Sequence, residues 1–330
     1  MAPIKVLALA GGEVETHPIA DVEALLARDD VLVWVDVPEC SDEAVALLTD
    51  VLHCHPLAVR DCMQRNRVPR VRIYPHQQLL ILHGPERGPS GHVHYLELDQ
   101  IIGDKYVVTV HGPINPTVPI ETALRETEAV RRRIEAGRLR PDSPYELSYA
   151  IISALTHRLE SFIEELTTDV WQLEQRVTGG HMGNPEEFLE ELFQARHGLL
   201  AVRTMGALGA EVLGRIAALE ARIPADDRPL VADAVDQLKR IRGLADGERG
   251  YLQGVIEFYR ARAETKMTIA AERLAVIAVV TLPITALSSI YGMNVIVNSH
   301  TRAGQLIVVL VIMAVMSALL LTWAKRRGWW

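Results

Sequence analysis

Apolar positions along this chain change period twice, and the changes divide it into three stretches. Up to about residue 140 they come as short β-branched or alternating runs, at residues 31–37, 70–74, 79–83, 92–98 and 106–111. Runs of this length and period predict the strands of a mixed α/β domain over residues 1–140, of α+β class. Residues 4–10 form one more apolar stretch. Acidic residues follow it and no persuasive cleavage site appears, so it reads as a first strand and not as a signal peptide. Ser41 before Asp42 and Glu43 predicts the N-cap and acidic first turn of a helix ending near Leu52. Pro85, Gly88, Pro89 and Gly91 predict a hairpin turn or loop.

Beyond Pro141 and Pro144 the period becomes helical. Residues 146–177 place Leu155, Leu159, Phe162, Leu166 and Leu173 on one apolar stripe. Gly179-Gly180 and Gly183-Asn184-Pro185 break the pattern, and residues 186–219 resume it as a returning helix. Residues 141–229 are therefore expected to hold antiparallel helices. From residue 230 no proline occurs until Pro283, which predicts one continuous helix, roughly 95 Å long at 1.5 Å per residue. Its part before the apolar run, residues 230–273, is a stalk. Gly243, Gly247, Gly250 and Gly254 weaken its middle, and their spacing gathers small residues on one face.

The third stretch holds two long apolar runs. Residues 274–290 and 303–324 contain no ionisable side chain. Each run is long enough to cross a hydrocarbon core of about 30 Å as a helix. Two such runs separated by so short a loop predict a transmembrane hairpin: a first span at 274–294, a loop at 295–302, a second span at 303–324 and a tail at 325–330. Lys325, Arg326 and Arg327 follow the second span, and Arg260, Arg262, Lys266 and Arg273 precede the first. The loop carries only Arg302 and His300. Basic residues stay on the cytosolic side, so both termini are expected there, in an inner or plasma membrane. Trp323, Trp329 and Trp330 suit anchoring at that interface.

Composition narrows the function. A chain of 330 residues has room for roughly two domains. Its net charge of −8 argues against a nucleic-acid partner and favours an attraction for divalent cations. Cys40, Cys54 and Cys62 form no zinc or disulfide framework, which suits a reducing compartment. No nucleotide loop, nucleophile elbow or paired catalytic carboxylates are present, so no enzyme and no organic cofactor is expected. His53, Cys54, His55 and Cys62 are a weak soft-metal candidate. His92 and His94 share one strand face.

Two helices cannot enclose an aqueous path alone, so conduction requires several copies around an axis. Thr268, Ala271, Ala275, Ala278, Leu282 and Thr285 recur every three or four residues as a stripe of small and hydroxyl groups. Such a stripe lines a pore or merely permits tight helix packing. The second span is apolar all round and suits lipid. Tyr291-Gly292-Met293-Asn294 closes the first span. Asn294 lies nine residues beyond Thr285, at about 100° each, and so points away from that stripe on a regular helix. Gly292 is expected to end the helix and let the chain turn inward. A ring of Asn294 carboxamides would then grip a hydrated ion, since Mg²⁺ sheds its inner water reluctantly. As an isolated motif, Gly-Met-Asn fits an ordinary helix C-cap better than a filter.

Thr281-Leu282-Pro283-Ile284-Thr285 followed by Ile290-Tyr291-Gly292-Met293-Asn294 resembles the CorA family of divalent-cation channels, defined by Gly-Met-Asn at the end of the first span. His55-Pro56-Leu57-Ala58-Val59-Arg60-Asp61, with Arg70 and Tyr74, resembles a second stretch of that family. Leu173-Glu174, Arg203 and the basic C-terminus also fit. The resemblance implies a homopentamer with a cytosolic funnel, a pore-lining stalk and a two-helix membrane part. It makes Gly292, Met293 and Asn294 the filter, and puts Leu274, Leu282, Thr285 and Thr268 at pore-lining positions, with Ala278 on the same stripe. Lys325, Arg326 and Arg327 form a basic collar, and intracellular cation is expected to close the channel. Asp233 and Glu257 are the candidate regulatory ligands among acidic residues that include Asp226, Asp227 and Asp236; solvated helix faces look the same.

One departure matters for the ion. Many magnesium-transporting members follow Gly-Met-Asn with a Met-Pro-Glu-Leu loop, whereas residues 295–302 carry no carboxylate. Glu272 also stands where some members carry Lys. The expectation is a divalent-cation channel, Mg²⁺ foremost with Co²⁺ or Ni²⁺ in range, against the zinc-transporting ZntB branch. A membrane-anchored cation sensor or scaffold that conducts nothing is the alternative of another class.

Overall fold

The computed structural model describes residues 3–113, 115–180, 183–294 and 303–326. These residues fall into two compact units, divided between Val255 and Ile256.

The first unit is built on a seven-stranded sheet: β1 (Lys5–Ala10), β2 (Glu13–His17), β3 (Leu32–Val37), β4 (Arg70–Ile73), β5 (Gln77–Arg87), β6 (Val93–Gly103) and β7 (Tyr106–Val110). The spatial order is β2-β1-β3-β7-β6-β5-β4. Only β3 and β7 run parallel; the other neighbours are antiparallel. Helices α1 (Val22–Leu26), α2 (Asp42–Ala46) and α3 (Pro56–Met63) accompany the first half of the chain, with a π turn at Leu47–Val51. The second half adds α4 (Ile120–Ala123), α5 (Arg125–Glu135), α6 (Pro144–Gly179), α7 (Pro185–Ala217) and α8 (Arg228–Asn294), and α9 (Ala303–Arg326) closes the described chain.

Alternation along the strands gives the sheet two apolar faces. On one, Val6, Val33, Val35, Ile81 and Val108 pack with Leu25, Leu47, Leu48 and Val59 from the α1–α3 side. On the other, Leu7, Trp34, Leu98 and Val107 pack with Val130 and Ile134 of α5 and Leu147 and Ile151 of α6. The sheet is thus covered on both sides, as its nearly continuous apolar central strands require.

Local chemistry sets the helix ends. The hydroxyl of Ser41 accepts from the Ala44 amide at 3.2 Å and caps α2. The helical course then widens into the π turn, and Leu52 is its C-cap. Ser143 accepts from Glu146 N at 3.0 Å to start α6, with Pro144 pre-set for the first turn. Gly180, at φ 78°, ends it in the left-handed conformation that glycine adopts without strain. Asn184 caps α7 through Glu186 N.

Two expectations are corrected. The predicted turn at Pro85 begins later, because β5 continues to Arg87 and pairs Pro85 with Tyr95. The Pro85 carbonyl accepts from Arg158 Nε at 2.8 Å, which anchors the strand there. More consequentially, α8 does not end at Gly292: it remains helical through Gly292 and Met293 to Asn294. A glycine permits a left-handed stop but does not impose one.

In the second unit, α8 from Ile256 to Asn294 and α9 supply the two helices long and apolar enough to cross a membrane. Only 6 % and 11 % of their apolar windows are buried. A core helix of a soluble protein would be mostly buried; these faces need another apolar medium. The loop at 295–302, with His300 and Arg302, lies outside the described residues, as do Arg327, Trp329 and Trp330.

Candidate ion-conduction site

Burial along α8 has a helical period in its apolar part. Val276 is buried, and Val280, Pro283, Ile284 and Leu287 are half-buried. Apart from the adjacent pair Pro283 and Ile284, these positions follow one another by three or four residues and so occupy one face. Thr285 lies two and a half turns beyond Val276, about 180° away. Leu274, Leu282 and Ala278 fall within about 60° of Thr285. Leu274 and Leu282 are 68 % and 67 % exposed, Thr285 is exposed, and Ala278 is half-buried. The stripe singled out from sequence is therefore the face opposite the covered one. Thr268 is exposed as well, about 40° round from Leu282 on the wheel and about 100° from Thr285, nearer the edge of that stripe than its centre.

The hydroxyls on this helix are partnered locally. Thr285 Oγ1 donates to the Thr281 carbonyl at 2.8 Å, Thr281 Oγ1 to Ile277 at 2.8 Å, and Thr268 Oγ1 to Glu264 at 3.0 Å. With its proton committed backwards along the helix, each oxygen presents lone pairs outward, the polarity a cation or its water accepts.

Asn294 stands five full turns beyond Val276, at the same helical phase and not that of Thr285. Since α8 stays helical across Gly292, the inward turn expected at that glycine is absent from the backbone. Gly292, Met293 and Asn294 form the last residues of the helix.

The other predicted residues are dispersed. Asp233, in the first unit, accepts from Tyr149 Oη at 2.6 Å and from Gln237 Nε2 at 2.6 Å, both on Oδ2. The Tyr149 hydrogen bond, then that of Gln237, holds its carboxyl below the usual range. Glu257 belongs to the second unit and is exposed. Lys325 and Arg326 occupy the last turn of α9, where positive side chains complement the helix dipole.

Among the described residues no three His, Cys, Asp or Glu side chains converge as metal ligands. The His53/Cys54/His55/Cys62 candidate is corrected accordingly. His55 is a helix cap, its Nδ1 accepting from Leu57 N at 3.1 Å, and it stacks on Tyr74 with centroids 4.2 Å apart. Cys54 and Cys62 are buried. Burial pushes the Cys54 thiol up to about 12, the opposite of a thiolate ligand. Asp61 is buried and accepts from Arg70 Nη1 at 3.2 Å and from Arg72 Nε. The stretch from His55 to Tyr74 thus clamps α3 to β4 and is structural.

The family profile described as "CorA-like Mg2+ transporter protein" matches residues 29–326. The chain belongs to that family. CorA-like proteins are metal ion transporters and not enzymes, and the two apolar helices make this one a membrane protein. It is 25 % identical over 319 residues to YfjQ of Bacillus subtilis, with 93 % of each chain covered. It is 22 % identical to the cobalt/magnesium transport protein CorA of Thermotoga maritima, over 99 % of this chain and 92 % of that one. The complete structure of the CorA magnesium transporter from Methanocaldococcus jannaschii shares its fold over 100 % of both chains, at a TM-score of 0.80 and 16 % identity. The ZntB cytoplasmic domain of Vibrio parahaemolyticus matches 80 % of this chain and all of that one, at 0.62 and 12 %. The CorA likeness seen in Gly-Met-Asn thus extends through the first unit.

Proposed function

We propose that this CorA-like transporter is a homopentameric divalent-cation channel, with α8 lining the path and both termini in the cytosol. The observation that carries the reading is the division of α8 into a covered face, centred on Val276, and an opposite face of Leu274, Ala278, Leu282 and Thr285. That opposite face needs an occupant, and water around an axis of several copies suits the outward hydroxyl of Thr285. Asn294 is the filter residue. With α8 closing there, the last carbonyls have no intrahelical partner and the negative end of the helix dipole sits beside them. Several copies would bring these carbonyl oxygens together around the axis to hold a hydrated ion without stripping it. Mg²⁺ is the leading cargo, with Co²⁺ and Ni²⁺ in range. Asp233 and Glu257 would bind the intracellular cation that closes the channel, and Lys325, Arg326 and Arg327 would form its basic collar.

Zn²⁺ is the second reading. It is favoured by the absence of any carboxylate in residues 295–302 and by the ZntB likeness of the cytosolic unit. A proteoliposome flux panel with Mg²⁺, Co²⁺, Ni²⁺ and Zn²⁺, with and without a pH gradient, separates the readings. Zinc flux that follows the gradient, with no magnesium flux, replaces the first reading by the second. Asn294→Ala should be nearly inactive at equal membrane levels, and normal flux in that variant sinks the filter assignment. Binding without any flux in the unaltered protein would make it a sensor.

A further inference from the structure

The two edges of the sheet carry opposite charge. β2 forms one edge and β4 the other, and among the described residues no strand pairs with the outer side of either. Such an edge presents a row of unpaired backbone N–H and C=O groups. On β2, Glu13 and Glu15 are exposed, and Glu15 meets His17 Nε2 at 3.3 Å. On β4, Arg70 and Arg72 share the single carboxylate of Asp61 with Arg60. Three guanidiniums against one carboxylate leave this edge positive, and the exposed Arg65 and Arg67 precede it.

These charges lie on one face of the sheet. Glu13 and Glu15 are opposite Ala10 and Ala8, and Arg70 and Arg72 are opposite Ile81 and Leu79. Directly opposed residues point to the same side, and Ala8, Leu79 and Ile81 all belong to the core on the α1–α3 side. Val14 and Val71, between the charged positions, point to the other face.

Strand direction completes the match. From β2 across to β4 every step between neighbours is antiparallel except β3 to β7, so β2 and β4 run in opposite directions. A second copy set beside the first in the same orientation presents its β2 antiparallel to β4, with both charged sets on one face. The register that opposes Glu15 to Arg70 also opposes Val14 to Val71 and Glu13 to Arg72. Within one chain the two edges stand roughly 29 Å apart, at about 4.8 Å per strand, and cannot satisfy each other. Charge of one sign on both edges would keep copies apart; opposite charge in matching register draws them together.

We propose that β2 of one copy pairs with β4 of the next, extending the sheet between subunits through Glu13–Arg72 and Glu15–Arg70. A guanidinium has five N–H donors, so each arginine can hold Asp61 and a neighbour's carboxylate at once. Pairing two different edges is a head-to-tail contact, which closes into a ring where the rotation per copy allows. This contact rests on the homo-oligomer proposed above and gives its first units the surface through which they meet.

The test is cross-linking of Glu15→Cys/Arg70→Cys in the purified full-length chain with a short bismaleimide, beside light scattering of the untreated protein in detergent. Asp61 keeps Arg72 in this variant, and an unchanged melting temperature checks its fold; Glu15→Cys/Arg67→Cys serves if it does not hold. The expected result is a ladder of covalent multimers beyond the dimer from the double variant, and monomer from each single variant. Adding Glu13→Arg, which sets like charge against Arg72, should cut the cross-linked fraction about threefold or more. No ladder from a protein that scatters as an oligomer overturns the edge pairing and leaves the oligomer standing. Scattering as a monomer removes both. Covalent dimers from a single-cysteine variant would mean that like edges pair, which also overturns the proposal.

Discussion

Arg158 on α6 donates through Nη1 to Glu126 on α5 at 3.0 Å, with both side chains nearly inaccessible to water. The same guanidinium reaches Pro85 O at 2.8 Å, Thr122 O at 3.0 Å and Glu86 Oε2 at 2.7 Å. One side chain therefore joins β5, α4, α5 and α6. Removing it leaves the Glu126 carboxylate buried without its counter-charge, which costs about 3–5 kcal/mol. Arg158→Ala should lower the melting temperature of the first unit sharply. The Arg158→Met/Glu126→Leu double variant should recover much of the loss, since an apolar pair of similar volume needs no compensation. Denaturant titration of both variants checks this.

Helix contact is equally specific at Gly206. A Cβ there would lie 3.0 Å from Ile241 Cγ2, 3.1 Å from Arg242 N and 3.1 Å from Leu238 O, so backbone would have to move. Gly206→Ala is expected to destabilise by roughly 1–3 kcal/mol, the usual cost of overpacking. Gly214 on the same helix meets nothing within 4 Å. Gly214→Ala should therefore stabilise by up to about 1 kcal/mol through helix propensity alone. Opposite shifts in the two melting curves are the expected signature.

Two carboxyls give the fold a pH dependence at both ends. Burial first, and then the nearby Glu97 charge, raise the Asp99 carboxyl well above its ordinary value of 3.8. Its contribution to stability is complete below that value and is lost as pH rises through the raised one. Asp99→Asn should flatten the decline in stability towards alkaline pH. Glu128 behaves oppositely: hydrogen bonds from Arg131 and then Lys5 lower it to about 2. Its contribution is present above 4.5 and is lost as pH falls through about 2. Glu128→Gln should leave the alkaline limb unchanged and shift the acid limb. Melting temperatures across pH resolve the two.

Single cysteines test the phase of α8. Introduced at Leu274, Leu282 and Thr285 in the membrane-inserted protein, they should react with a water-soluble, membrane-impermeant thiol reagent. Cysteines at Val276, Val280 and Leu287 should resist it. Native thiols add little background, because burial raises Cys40 to about 11 and Cys54 to about 12 and holds Cys62 well above the normal value. Equal reactivity of the two sets would remove the aqueous path from this face.

Much of this was legible in the sequence, for identifiable reasons. The strands with β-branched runs and the α6 and α7 stripes were visible because burial selects one face of each. β2 escaped because Glu13–His17 is an edge strand with no fully buried residue, so its composition reads as loop. Helix α4 escaped because none of its residues is buried, and α5 because its covered positions include Glu126 and Thr127 beside Val130 and Ile134; a face satisfied by Arg158 leaves no apolar period. The candidate pore stripe followed from spacing alone. The persistence of α8 past Gly292 did not, since glycine is compatible with either outcome.

Pro283 carries a consequence of its own. Lacking an N–H, it leaves the carbonyl of Val279 without the donor that every neighbouring turn supplies. In water that gap is trivial, but at hydrocarbon depth an unmatched carbonyl costs several kcal/mol. One rung of the first span therefore has a fixed thirst, and whatever quenches it, whether a water file or a neighbouring helix, has to reach that depth.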